Sequence, residues 1–220
     1  MIKACIFDLD GTLLNTVNTI SYYGNKALCE YGLEPYPTDD YKYMVGNGAK
    51  ILVERMLKGR GKEGDLELFE KVFKLYNELY DNDVEYGTQP YDGICDLLDE
   101  LNARGILTAV LSNKPDFASC EAVETFLGGY FDVVHGQREG IPIKPAPDGA
   151  IEIMKELGVD ANEVLYIGDT WIDMQTGKKS GAFTIGVLWG FRDREELETN
   201  NADAIIEKPL QILDYLSISR

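Results

Sequence analysis

Short apolar runs alternate with amphipathic stretches over most of the chain. Runs at 4–7, 107–111, 131–134, 164–167, 184–188 and 204–206 are rich in Val, Ile, Leu and Phe and bounded by turn-forming residues, which predicts short buried strands. Helical patterns lie between most of them. Ile94, Leu97, Leu98 and Leu101 fall at i, i+3, i+4 and i+7, and Gly105 supplies a stop, so 93–105 reads as a helix with one apolar face. The stretch 150–158 repeats the form with Ile151, Met154 and Leu157. Strands alternating with helices imply βαβ units joined by right-handed crossovers. The predicted class is α/β, with a doubly wound parallel sheet.

One interval breaks the alternation. From 16 to 89 there is no convincing strand, only three or four helical patterns. The last, 65–81, carries one stripe at Leu66, Phe69, Phe73, Tyr76 and Tyr80 and a second at Leu68, Val72, Leu75 and Leu79. A helix apolar on so wide a face packs against more than one neighbour. The economical organisation is a core of 1–15 and 90–220 with an inserted helical cap domain at 16–89, seated over the C-terminal end of the first strand. The turn-rich 86–93 reads as the return hinge.

Charge narrows the partners. Among 220 residues there are 38 acidic and 21 basic side chains, a net charge of −17. That disfavours nucleic acid or an anionic membrane as partner. It also means that an anionic substrate needs a metal ion or a local basic patch to hold it. No apolar run approaches the ~20 residues of a membrane span, and the N-terminus lacks the apolar stretch of a signal peptide. A cytosolic protein, monomer or homodimer, is expected. Cys5, Cys29, Cys95 and Cys120 form no CxxC pair and read as reduced, mostly buried thiols. The lone His135, near a predicted strand end, lacks the companions of a zinc cluster or a Ser-His triad.

The polar chemistry falls at strand ends. The first strand runs into Asp8-Leu9-Asp10-Gly11-Thr12, the second into Ser112-Asn113-Lys114, and Lys144-Pro145 follows the third. The fourth ends in Gly168-Asp169, with Asp173 four residues on. In open α/β sheets, sites form beyond the carboxyl ends of the strands. Carboxylates, a hydroxyl, an amide and an ammonium delivered there suit phosphoryl transfer through a covalent aspartyl intermediate. Hard carboxylate oxygens suit Mg²⁺, and a second aspartate two residues after a nucleophile can serve as acid and base. Taken singly, Ser112 could cap the next helix, Lys144 could be solvated, and Asp173 could be a first-turn acid.

These four segments, in this order, resemble the four motifs of the haloacid dehalogenase (HAD) superfamily, and 16–89 lies where a type C1 cap would lie. The resemblance implies a Rossmann-like, HAD-like core and makes Asp8 the nucleophile and Asp10 the acid/base. Ser112, the Asn113 backbone and Lys144 would bind the phosphoryl group. Asp8, the Asp10 main-chain carbonyl and Asp169 would ligate Mg²⁺, with Asp173 close by. The pattern from Val45 through Gly46-Asn47-Gly48-Ala49-Lys50 to Arg55 is similar to the cap motif of phosphoglycolate phosphatases. In it, Asn47 and Lys50 would face the non-phosphoryl end of a small phosphorylated metabolite. The implied activity is hydrolysis of a phosphomonoester such as 2-phosphoglycolate. Rivals on the same frame are a sugar phosphomutase, a nucleotidase or a pyrophosphatase, and from another class a non-catalytic ligand-binding regulator.

Overall fold

The computed structural model describes residues 1–81 and 86–218. The chain divides into two compact units, Met1–Asn15 with Pro90–Arg220, and Thr16–Gln89. Strand β1 (Ala4–Phe7) is followed by helices α1 (Val17–Glu30), α2 (Thr38–Met44), α3 (Gly48–Gly59) and α4 (Leu66–Asp81). Then come α5 (Ile94–Ala103), β2 (Leu107–Pro115), α6 (Asp116–Leu127), β3 (Val133–Gln137) and α7 (Asp148–Leu157). The chain continues through β4 (Val164–Gly168), α8 (Trp171–Ser180), β5 (Phe183–Val187), α9 (Arg194–Thr199) and β6 (Ala204–Ile206).

In the first unit the six strands form one sheet in the order β3-β2-β1-β4-β5-β6, and every neighbouring pair is parallel. This is the doubly wound Rossmann-like order, with the reversal at β1. β1 is buried along its whole length, as a central parallel strand covered on both faces must be. Ala4 and Ile6 share one face with Ala109, Leu111, Val164 and Tyr166, and α7 closes it with Ala150, Ile153 and Met154. Alternation sends Cys5, Phe7, Val110, Leu165 and Ile167, all fully buried, to the other face.

The structure corrects several details of the sequence reading. β2 runs four residues beyond the expected apolar segment, so Ser112, Asn113 and Lys114 belong to the strand itself. Its pairing with β3 shifts register between Leu111 and Pro115, which accommodates these polar side chains. β3 starts two residues late because Asp132 is used otherwise: its carboxylate accepts from the Thr108 amide at 2.8 Å. His135 therefore sits inside β3, between Arg138 and Glu156. In α7 the inward stripe is Ala150, Ile153, Met154 and Leu157, while Ile151 is half exposed. The four cysteines are free thiols, but only Cys5 is buried; Cys29, Cys95 and Cys120 fall on outward helix faces.

The second unit consists of α1 to α4. α4 packs against both α1 and α3, as its wide apolar face requires. Val72, Tyr76 and Tyr80 are its buried line, and Phe69, Phe73, Leu75 and Leu79 flank it half buried. Leu66, expected in the stripe, is exposed in the first turn.

The revised face of α7 is testable by unfolding. Ile153→Ala should destabilise the protein by about 2–5 kcal/mol, the cost of an unfilled core site. Ile151→Ala, on the outward face, should stay within about 0.5–1 kcal/mol of the parent. Urea melts of the two variants check this, and equal losses would return Ile151 to the core.

Candidate active site

The carboxyl ends of β1, β2 and β4 meet around one ammonium. Lys144 Nζ lies 2.8 Å from Asp8 Oδ1 and 2.8 Å from Asp173 Oδ1, with the lysine side chain 3% exposed. Asp8 continues the ladder past β1, its amide donating to the Ile167 carbonyl at 2.9 Å. The chain then folds tightly, the amides of Thr12, Leu13 and Leu14 all donating to the Leu9 carbonyl. Gly11 stands in this turn at φ +91°, and a Cβ there would lie 2.4 Å from Asp169 Oδ2. Only glycine satisfies both demands.

The acids are held by donors from separate elements. Asp169, wholly buried, accepts from Thr12 Oγ1 at 3.1 Å and from the Phe191 amide at 2.8 Å. Asp173 answers the N-terminus of α8: its Oδ2 accepts from the Thr170 amide at 3.1 Å and from Thr170 Oγ1 at 2.7 Å. It is thus a first-turn capping acid and the anchor of Lys144 at once. Asp8, Asp169 and Asp173 each offer a carboxylate oxygen within 4.8 Å of the others.

β2 supplies the rest. Asn113 clamps the Lys144 segment with two bonds, its Nδ2 donating to the Lys144 carbonyl at 3.0 Å and its Oδ1 accepting from the Lys144 amide at 2.9 Å. Ser112 is buried in the strand and does not cap α6, which starts behind Pro115. Its Oγ accepts from the Lys114 amide at 3.2 Å. Asp10 is the most open of the acids, its side chain 22% exposed, and it faces Lys114 at 3.1 Å.

Lys114 is the principal group that sequence reasoning passed over. The alternation signal was present, since Ser112 and Lys114 are two apart on one strand. Thr12 and the Phe191 amide were missed as well, because a backbone donor leaves no trace in residue identity. Asn47 and Lys50 lie in the other unit, at the start of α3. Asn47 Oδ1 accepts from Arg55 Nη2 at 2.7 Å, while Lys50 is exposed. Much of the nearby basic cluster is engaged locally: Lys58 with Glu63, Lys42 with Asp39, and Arg60 with two carbonyls and the Tyr36 ring.

The family model for haloacid dehalogenase-like hydrolases matches residues 5–187. The chain belongs to that family. The phosphoglycolate phosphatase of Aquifex aeolicus is 32% identical over 215 residues, covering 97% of this chain and 96% of its own. That of Neisseria gonorrhoeae is 31% identical over 220 residues, covering 98% and 93%. A crystal structure of a candidate phosphoglycolate phosphatase from Lactobacillus delbrueckii subsp. bulgaricus superposes with a TM-score of 0.91 at 32% identity, covering 97% of this chain and 98% of that one. No helix among the described residues is long and apolar enough to cross a membrane.

Electrostatically, this hydrolase crowds like charges. Burial, then the Asp173 carboxylate, raise Asp8 well above the usual range, against the pull of Lys144. Burial and Asp173 likewise push Asp169 up to about 7, opposed by the Phe191 amide and the Thr12 hydroxyl. Burial alone would lower Lys144, but Asp173 and Asp8 more than offset it and the ammonium is held well above its ordinary value.

A native carboxyl near 7 binds protons that the unfolded chain, titrating near 4, has already lost. Between those values the native state carries more protons, so stability falls as pH rises. In chelator, the unfolding free energy should drop by on the order of 2 kcal/mol from pH 5 to pH 7.5 through Asp169. Asp169→Asn should flatten that part of the curve. Paired urea melts check it, and an unchanged slope in the variant would contradict the assignment.

Proposed function

We propose that this hydrolase is a Mg²⁺-dependent phosphatase of a small phosphomonoester, such as 2-phosphoglycolate, working through a phospho-aspartyl intermediate on Asp8. The observation that carries the reading is the Asp8 carboxylate at the end of β1, 2.8 Å from a buried ammonium and inside a three-carboxylate cluster. The names of the similar proteins support the substrate class.

The donor set fits Mg²⁺, being all hard oxygen and tightly grouped. Asp8, Asp169 and the main-chain carbonyl of Asp10 would hold it. Asp173 has less capacity, since three donors already occupy its carboxylate. Its place is that of an anchor for Lys144, and it would add negative charge beside such an ion. When bound, the ion supplies positive charge that offsets repulsion between carboxylate and phosphate.

The chain's own groups do the remainder. Lys144, the Ser112 hydroxyl and the Asn113 amide hold the phosphoryl oxygens. Asp8 attacks phosphorus in line. Asp10 gives a proton to the leaving oxygen, then takes one from the water that releases phosphate. Specificity for a carboxylated leaving group is assigned to the start of α3, where Lys50 offers an exposed ammonium beside amides of a helix N-terminus.

Phosphate release from 2-phosphoglycolate, one equivalent per substrate, tests the reading directly. Asp8→Asn should lose nearly all turnover, and retention of more than about a tenth would end the nucleophile assignment. Asp10→Asn should lose about 10²–10⁴-fold. EDTA should silence the parent enzyme and Mg²⁺ restore it.

Recognition in the helical unit is tested separately. Lys50→Ala should cost roughly 1–3 kcal/mol in kcat/KM with 2-phosphoglycolate as substrate and little with an aryl phosphate that has no carboxylate. Equal losses on both would deny the residue a role in selectivity. Asn47→Ala is the weaker probe, because it also removes an acceptor from Arg55.

A further inference from the structure

Lys114 has no task in the chemistry just described, yet it is among the most constrained cations of the core. Only 9% exposed, it stands near the end of β2. Its backbone is pinned on two sides, the amide donating to Ser112 Oγ at 3.2 Å and the carbonyl accepting from Ser119 Oγ at 3.3 Å. β3 presses against the same carbonyl, since a Cβ on Gly136 would come within 2.6 Å of it. From this fixed root the ammonium reaches Asp10, 3.1 Å from Oδ1 and 3.4 Å from Oδ2. Contact with both oxygens sets the plane of the carboxylate as well as its place.

We propose that Lys114 is a positioning residue for Asp10, aiming its carboxylate first at the leaving oxygen and then at the attacking water. The proposal rests on the phosphatase reading and deepens it. Asp10 has to serve two oxygens in succession from one side chain on a tight turn. A displacement of about 1 Å at such a group can cost on the order of 10²-fold in rate. The pair is largely buried, with the lysine side chain 7% exposed, and desolvating an ammonium in this way is tolerable only where its partner is held in good geometry. The ammonium only donates, so the remaining lone pairs of both Asp10 oxygens stay available to the reacting proton.

The test uses Lys114→Met with three substrates: 2-phosphoglycolate, a carboxylate-free alkyl phosphate, and p-nitrophenyl phosphate. kcat/KM covers steps only through departure of the leaving group, and nitrophenolate leaves with little protonation. The variant should lose about 10–100-fold in kcat/KM on both alkyl phosphates and less than about 3-fold on the aryl phosphate. Its kcat on the aryl phosphate should still fall, with a burst of about one nitrophenolate per site, because water attack also needs Asp10. In an Asp10→Asn background, Lys114→Met should add less than about 2-fold on the alkyl phosphates. Lys114→Arg keeps the charge and should show the same asymmetry in weaker form, which serves if the Met variant does not fold.

Equal losses on all three substrates would mean a structural role and overturn the proposal. So would weaker binding seen with 2-phosphoglycolate alone, at unchanged kcat, which would make Lys114 a receptor for the substrate carboxylate. A parent enzyme inactive on every phosphoester would overturn the phosphatase reading, and this proposal with it; an active parent with uniform losses overturns this proposal alone.

Discussion

A buried ammonium held between two carboxylates is the constraint on which the rest of the core depends. Lys144 is nearly sealed from water, and its partners Asp8 and Asp173 come from the end of β1 and the first turn of α8. Charges removed from water in this way are tolerable only with near-ideal geometry and further hydrogen bonds. The surroundings supply both. Asn113 fixes the Lys144 backbone, Thr170 saturates Asp173, and Thr12 with the Phe191 amide holds Asp169. Glycines at 11 and 190 let two backbone segments close directly onto Asp169, where any Cβ would collide. The late loop carrying Phe191 and the early loop carrying Thr12 are thereby tied together, and Trp189 Nε1 donates to the Thr12 carbonyl at 2.9 Å.

Sheet order explains why these segments can meet. β1 lies between β2 and β4, at the point where the winding reverses. Helices leave the ends of β2 and β4 toward opposite faces, so a crevice opens above β1. A carboxylate at that position has neighbours on both sides without any long loop having to fold over it. Lys144 is the exception, carried in by the segment between β3 and α7, and it is the residue that needs a dedicated clamp in Asn113.

Legibility in the sequence followed the physics of each feature. β1 and β6 have the bounds their apolar runs predict, and the α/β class follows from alternation alone. The ends of β2 and β3 were misjudged because hydrophobicity marks burial, whereas Ser112 and Asn113 are buried polar residues satisfied by specific partners. In α7, Ile151 and Ile153 are equally apolar, and only the position of the helix start decides which faces the sheet. At the site, the acids and the lysine that the motif order singles out are brought together by the fold. Their pairings were not legible in that order: Asp173 as both cap and anchor, Lys114 as partner of Asp10, and the Phe191 amide are relations between residues far apart in the chain.

The same pairings bear on how an acidic chain could hold an anion. Asp8, Asp10, Asp169 and Asp173 face Lys114 and Lys144, so the fully ionised group carries two more negative than positive charges. Burial and then this crowding by Asp173 raise Asp8 and push Asp169 up to about 7, so protons compete for these oxygens. A divalent cation would balance the same excess and displace those protons, since both compete for the same oxygens. On the proposed phosphatase reading, such an ion would lessen the repulsion that these carboxylates exert on a phosphate dianion. An excess of two negative charges would suit the divalent ion of that proposed reading. In a chain of net charge −17, such a local offset is what an anionic substrate would require.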